Sequence, residues 1–225
     1  MKKRIISTLT ALLLMVTQAV ATIDIQATYT DKNGTEIVQT ETFSAEAPLH
    51  VTFTYTAAGL DPGCTIEWHI RNTAAGIDIT RYEPTTQYDF TAAGTTEVTV
   101  LALLDGVLQD SGTLSVQISE SVLEMPNAFS PNGDGINDRY QAKSTSKSIL
   151  EFHAYIFNRY GQKLFEWTDW SNQDGGWDGT HNGHPVKDGV YFVYVKARGA
   201  DGREYNIRRD VNLLRNHNTT ETSTP

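Results

Sequence analysis

Cysteine is almost absent from this 225-residue chain: Cys64 stands alone, which rules out an intramolecular disulfide. It follows Asp61-Pro62-Gly63 and precedes an apolar stretch, the setting of a small half-buried residue rather than a reactive thiol. Catalytic signatures are missing as well. No G-x-S-x-G, H-E-x-x-H or P-loop pattern occurs, and no cysteine pairs with a histidine as a nucleophile would require. The expectation is a protein that is not an enzyme. Basic charge is scarce, with 18 Lys+Arg against 27 Asp+Glu and a formal charge of −9. Such a balance excludes nucleic acid as a partner, because phosphates need a basic face, and disfavours a strongly anionic membrane surface. Helical periodicity is not found beyond the N-terminal stretch. No apolar run approaches the ~20 residues that cross a bilayer, so no transmembrane segment is expected in the mature chain.

What is present begins with a secretory signal peptide over residues 1–21. Lys2, Lys3 and Arg4 form its basic start, Leu9–Val16 its apolar run, and Ala19-Val20-Ala21 an A-x-A cleavage site. The mature chain is expected to start at Thr22 and to be exported. Its charge is uneven. Thr22–Glu120 carries 3 basic and 14 acidic residues, whereas Ser121–Pro225 carries 12 and 13. An acidic segment followed by a near-neutral one indicates two modules, 22–120 and 121–215, with a polar disordered tail over 216–225.

Both modules read as strands. In the first, Leu49, Val51, Phe53 and Tyr55 alternate with polar residues, as do Ile66, Trp68 and Ile70, and then Leu114, Val116 and Ile118. Ile23–Thr30 and Glu36–Phe43 flank the turn Asp31–Gly34, and Val98–Leu104 is a longer apolar run suited to a buried strand. Six or seven strands in such a span predict an immunoglobulin-like sandwich. In the second module, Leu150, Phe152, Ala154 and Ile156 alternate with Glu151, His153 and Tyr155. Asn158–Gly161 turns this strand back into Lys163–Trp167, and Gly199–Gly202 joins Val190–Ala197 to Glu204–Leu214. The connection Thr168–Asp188 is glycine-rich and without periodicity, and Trp170 and Trp177 are expected to pin it. The fold class is therefore all-β, two β-sandwich domains in tandem.

The densest stretch is Pro126–Tyr140, P-N-A-F-S-P-N-G-D-G-I-N-D-R-Y. Two prolines and two consecutive turn dipeptides make it an ordered loop rather than a central strand, and Phe129, Ile136 and Tyr140 are its expected anchors to the core. Asn132, Asp134, Asn137 and Asp138 place four oxygen-bearing side chains within seven residues, which suits calcium. The twelfth position from Asn132 holds Lys143, where an EF-hand loop has its glutamate. The reading in which these side chains bond their own backbone as Asx-turns therefore comes first, and no cofactor other than calcium is suggested. His181 and His184 lack a third ligand nearby in sequence and read as loop histidines. Trp167, Trp170, Trp177, Tyr191 and Tyr194 read as core ahead of a sugar-stacking platform.

Two resemblances follow. Trp68 and the run Tyr88–Val100 resemble PKD and related Ig-like modules of bacterial surface proteins, although the aspartate- and glycine-rich signature that follows the PKD tryptophan is missing. F-S-P-N-G-D-G-I-N-D, together with I-F-N-R-Y-G-Q-K-L-F at Ile156–Phe165, W-D-G-T at Trp177–Thr180, D-G-V-Y-F-V at Asp188–Val193 and V-N-L-L-R at Val211–Arg215, resembles the gliding-motility-associated C-terminal domain. That domain is also called the type-B sorting domain of the type IX secretion system of Bacteroidota. The resemblance implies a non-catalytic β-sandwich, recognised by outer-membrane translocon components, that carries the first module through the periplasm to the cell surface or medium. The residues it marks for recognition are Phe129, Pro131, Asn132, Gly133, Asp134, Gly135, Asn158, Gly161, Trp177, Asp178, Gly179, Gly189 and Tyr191. A reading from another class is a cell-surface adhesin or glycan-binding module with a surface glycan or protein as ligand.

Overall fold

Alternating apolar and polar side chains carry the chain into sixteen strands, with no helix among the described residues. The computed structural model describes residues 22–172 and 174–215. The signal peptide and the polar tail expected from the sequence lie outside them.

Nine strands make the first sandwich. They are β1 (Thr22–Thr30), β2 (Glu36–Gln39), β3 (Phe43–Ala45), β4 (Leu49–Ala58), β5 (Thr65–Asn72), β6 (Ile77–Arg81), β7 (Thr86–Phe90), β8 (Gly94–Leu104) and β9 (Val107–Ile118). One sheet has the order β2-β1-β4-β7, the other β3-β9-β8-β5-β6. Ile25, Val51, Phe53, Trp68, Ile70, Val98, Val100 and Val116 fill the space between, as the period of two along each strand requires. Trp68 is completely buried. Its ring meets those of Phe53 and Tyr55 at 6.3 and 6.1 Å, and its indole N–H donates to the Glu83 carbonyl at 3.0 Å.

Two details depart from the sequence reading. Glu36–Phe43 is not one returning strand. Edge strand β2 buries no residue, whereas Phe43 stacks on Tyr29 at 5.2 Å inside the core. The chain therefore crosses over, and β3 pairs parallel with β9 in the opposite sheet. In β8 only one face is buried, and Leu101 and Leu103 are half-exposed.

The second half contains β10 (Ala128–Phe129), β11 (Ile149–Phe157), β12 (Lys163–Trp167), β13 (Thr180–His181), β14 (His184–Pro185), β15 (Gly189–Gly199) and β16 (Glu204–Leu213). Five of these form one sheet in the order β10-β16-β15-β11-β12, and β13 and β14 make a separate ribbon. Phe152, Ala154, Ile156, Val193 and Val195 on the sheet pack against Leu123, Met125, Tyr140 and Trp177 from the long connections, which form the other layer of the sandwich. As expected, Trp170 and Trp177 pin the 168–188 connection. Trp170 donates to the Ile149 carbonyl at 3.1 Å, and Trp177 is bridged to Tyr140 through two backbone hydrogen bonds. The alternation in β11 starts differently from the expectation. A register shift between Ile149 and Glu151 turns Ile149 into this core, and Leu150 packs against the core of the first sandwich instead.

Candidate recognition site

Strand β15 runs from Gly189 to Gly199, and its register sorts the second half into two ends. At the Gly189 end, Gly189 pairs with Leu213 of β16, Phe192 with Phe157 of β11, and Phe129 of β10 lies beside Leu213. The loop after β10, the Asn158–Gly161 turn and the Asp188–Gly189 corner all leave from this end. The Gly199 end meets the first sandwich, where Ala200 joins that core. The topology thus gathers the recognition candidates at the end of the sheet away from the first half.

The 129–140 loop is organised by one carboxylate. Asp138 accepts the amides of Asn132 and Gly133 on one oxygen, at 2.9 and 2.8 Å, and that of Gly135 on the other, at 2.8 Å. The Gly133 and Gly135 amides, followed by that of Asn132, hold the Asp138 carboxyl below its ordinary pKa. Asn132 and Asp134 each accept the amide two residues on, at 3.1 and 2.8 Å, which is the Asx-turn geometry expected from the sequence. Asn132 also donates to Asp134 at 2.9 Å. Gly133 and Gly135 have φ of 82° and Asn137 has 55°, so the turn dipeptides are used in the left-handed conformation that glycine supplies. Phe129 and Tyr140 anchor the loop as expected, with rings 5.8 Å apart. Tyr140 is fully buried, donates to the Pro126 carbonyl at 3.0 Å, and has its phenol pKa raised by burial. Ile136 does not anchor it: its side chain is 67% exposed, because the Asp138 bonds turn residues 132–137 outward.

The W-D-G corner closes on this loop. Trp177 is fully buried, its ring 5.3 Å from Phe129 and 4.9 Å from Tyr191, and its indole donates to the Thr180 carbonyl at 2.7 Å. Asp178 accepts the amide and hydroxyl of Thr180, at 2.9 and 2.8 Å. Gly179 has φ of 77°. A Cβ on it would stand 2.8 Å from the Arg215 guanidinium and 3.0 Å from both Leu213 and Pro131. Arg215 donates to the carbonyls of Gly179, at 2.7 Å, and of Val186, and pairs with Asp188 at 3.1 Å. Tyr191 donates to the Lys187 carbonyl at 2.6 Å. Phe129, Pro131, Trp177, Gly179 and Tyr191 therefore meet in one cluster. Asn158 and Gly161 lie at the same end but form their own turn, in which Asn158 accepts the amides of Tyr160 and Gln162 at 2.9 and 3.1 Å.

Sequence reasoning overlooked two features. Arg215 is one: in sequence it is only the last residue of V-N-L-L-R, and no local pattern shows that it reaches back 36 residues to Gly179. The other is exposed apolar surface. Among the described residues of the second half the large exposed hydrophobics are Ile136, Tyr160, Val190, Phe192 and Leu214, and all five lie at the Gly189 end. Phe157 and Phe192 occupy the solvent phase of their strands, where polar residues are usual, and that break in alternation was the available signal.

The remaining candidates are placed as follows. Trp167, Trp177 and Tyr191 are buried, so their ring faces are closed to a sugar. Tyr194 stacks on Tyr155 at 6.1 Å, with Arg208 over its ring at 4.9 Å. His181 and His184 sit opposite each other on the ribbon, and His181 Nδ1 bonds the Leu164 carbonyl at 2.9 Å. Among the described residues no three His, Cys, Asp or Glu side chains converge as metal ligands would.

Residues 123–208 match the family model of the CHU_C Type IX secretion signal domain. That segment takes in β10 to β15, the first part of β16 and the connections that cover them, and the type IX signal domain it resembles links the chain to export by that system. No curated protein matches the chain. Among solved structures, the chain is similar to a tetra-tandem repeat in the extending region of a large adhesion protein, at 10% identity and a TM-score of 0.29, covering 87% of this chain and 68% of that one. It is similar to the SGBP-B of the Bacteroides ovatus mixed-linkage glucan utilization locus, in complex with a mixed-linkage heptasaccharide, at 14% identity and a TM-score of 0.28, covering 77% and 43%. It is also similar to dimeric latent PorU from Porphyromonas gingivalis, at 12% identity and a TM-score of 0.28, covering 88% and 20%. The chain spans less than half of the second and a fifth of the third, and similarity at these scores says nothing of what it binds.

Proposed function

We propose that the second half docks with outer-membrane components of the type IX secretion translocon and carries the Ig-like first half out of the periplasm to the cell surface or the medium. It does so by recognition and catalyses no reaction. The observation that carries this reading is the convergence of the signal-domain motifs with five exposed apolar residues at the end of the sheet away from the first half. Apolar residues set on an ordered frame form a protein-docking patch, and the Asp138, Asn158 and Arg215 hydrogen bonds fix the loops around it.

The test is surface protease accessibility in the native host. Deleting Ser121–Pro225 should abolish surface exposure. Replacing Ile136, Tyr160 and Phe192 together by serine should reduce export while leaving the thermal melt of the purified protein unchanged, since all three are exposed. Wild-type export by the deletion would end the sorting reading. Wild-type export by the triple variant would move recognition away from this patch.

A further inference from the structure

We infer that a buried clasp at the Gly199 end locks the two halves into one rigid body, so that the C-terminal half is not a detachable tag. This inference rests on the contacts between the halves and is independent of the sorting reading.

Two pieces of the second half enter the first. The turn after β15 inserts Ala200, whose side chain belongs to the first core and whose carbonyl accepts the Ala93 amide at 3.0 Å. Ser148 supplies the other piece. It has no exposed surface and a φ of 51°. Its hydroxyl accepts the Ala47 amide at 3.2 Å and shares a hydrogen bond with the Ser119 hydroxyl at 2.8 Å. Its carbonyl accepts the Ala200 amide at 2.9 Å, tying the two pieces together. A non-glycine residue held in the left-handed region persists only where its surroundings fix it, and here the reward is two contacts across the boundary.

The connection between the halves has no free run. Ser119 donates its amide to Ala45 at 3.0 Å. Ser121, buried, donates its amide and hydroxyl to Asp201 at 3.2 and 2.6 Å, and its carbonyl accepts the Tyr205 hydroxyl at 2.9 Å. Val122 exchanges two backbone bonds with Lys147. The fit around Ser121 is close: a Cβ on Gly199 would stand 2.0 Å from the Ser121 hydroxyl oxygen and 2.5 Å from the Asp201 carboxylate. Tandem domains ordinarily move against each other across an exposed linker. Here Ser121, Leu123 and Met125 of the linker are buried, Glu120 and Glu124 alone are exposed, and the backbone is bonded to both halves, which removes that freedom and gives a protease little extended substrate.

The experiment uses the full chain and two variants, Gly199→Val and Ser148→Gly. The first wedges the clasp open. The second tolerates the positive φ and removes the CH2OH side chain, and with it both hydroxyl contacts across the boundary. Calorimetry and limited proteolysis, with cut sites mapped by mass spectrometry, read the outcome. Wild type should melt in one transition and resist cutting within residues 119–125. Gly199→Val should be cut there about tenfold faster or more, the scale expected for losing hydrogen bonds to a charged group, and should melt in two transitions. Should Gly199→Val fail to fold, Ser148→Gly decides, with faster cutting at the same residues expected. Wild type melting in two transitions, wild type cut within 119–125 while both halves stay folded, or a Ser148→Gly cutting rate equal to wild type would each overturn the clasp.

Discussion

The guanidinium of Arg215 donates to the Gly179 carbonyl at 2.7 Å, joining the end of β16 to the W-D-G corner. The same side chain pairs with Asp188 and is largely screened from solvent, so it adds a side-chain tie to segments joined elsewhere by the Val186–Gly179 and Gly189–Leu213 backbone pairings. Arg215→Ala should lower the stability of the second half by about 1.5–3 kcal/mol, the usual loss for hydrogen bonds to a charged group. Arg215→Lys should recover only part of it, because one ammonium cannot reproduce the planar fork. Urea denaturation followed by circular dichroism measures both, and an alanine variant with the wild-type midpoint would show that the clamp is idle.

Gly179 is the partner in that contact, and its replacement tests the packing from the other side. Alanine there would be strained by a φ of 77° and would stand 3.0 Å from Leu213 and Pro131. Gly179→Ala should therefore destabilise by more than the ~1 kcal/mol of a simple glycine effect, and combining it with Arg215→Ala should cost less than the sum, because the two share one contact. A double-mutant cycle on denaturation midpoints gives the coupling. Strict additivity would contradict the shared contact.

Trp177 is the largest side chain wholly enclosed in the second core. Trp177→Ala should cost ~3–5 kcal/mol, as for other large buried aromatics, against the ~5–15 kcal/mol that stabilises a domain. Trp177→Phe should retain most of the packing yet leave the Thr180 carbonyl without its donor, a loss of about 1–3 kcal/mol. If the alanine variant unfolds at the wild-type urea concentration, the core assignment fails. Export should follow stability, with the alanine variant degraded before it reaches the surface.

Much of this was legible in the sequence, for identifiable reasons. Strands with a strict period of two, such as Leu49–Tyr55 and Ile66–Ile70, were readable because one face meets the core and the other meets water. The Asn132–Asp138 loop was readable because Asn-Gly and Asp-Gly leave few alternatives to a turn. Ile136 was misplaced because hydrophobicity alone does not say which way a side chain points from a turn. The β2–β3 crossover and the Leu150 bulge were hidden because both depend on which sheet a strand joins, a choice made by distant partners. The clasp was hidden for the same reason: Ser148 meets Ala47 across 101 positions.

The Asp138 carboxylate should give the loop a pH dependence of definite sign. Its folded pKa is lowered by the Gly133, Gly135 and Asn132 amides, below an unfolded value of about 3.9. A depressed carboxylate contributes its stabilisation fully above the unfolded pKa and loses it as pH falls through the folded one. The Gly133 and Gly135 amide resonances should therefore be constant from neutral pH down to about pH 4 and shift together below it. In Asp138→Asn that shared transition should vanish. A midpoint at or above the ordinary aspartate value would mean that the amides do not bond this carboxylate.

Calcium is the last question the loop poses, and the arrangement predicts little response. Calcium takes six to eight oxygens, and the ordered loop already employs the side-chain oxygens of Asn132, Asp134 and Asp138. Asp138 spends both oxygens on three amides. Asn132 and Asp134 each bond the backbone two residues on and each other. Asn137 has φ of 55°, and its own carbonyl accepts the Ser130 amide at 2.8 Å. A cation would have to displace or share these bonds. The melting temperature should be the same in millimolar calcium and in chelator, since only a ligand that binds the native state raises it. Asp134→Asn and Asp138→Asn should also be equally indifferent to calcium. A rise in melting temperature with calcium that Asp134→Asn removes would reverse this prediction and make Asn132–Asp138 a calcium site.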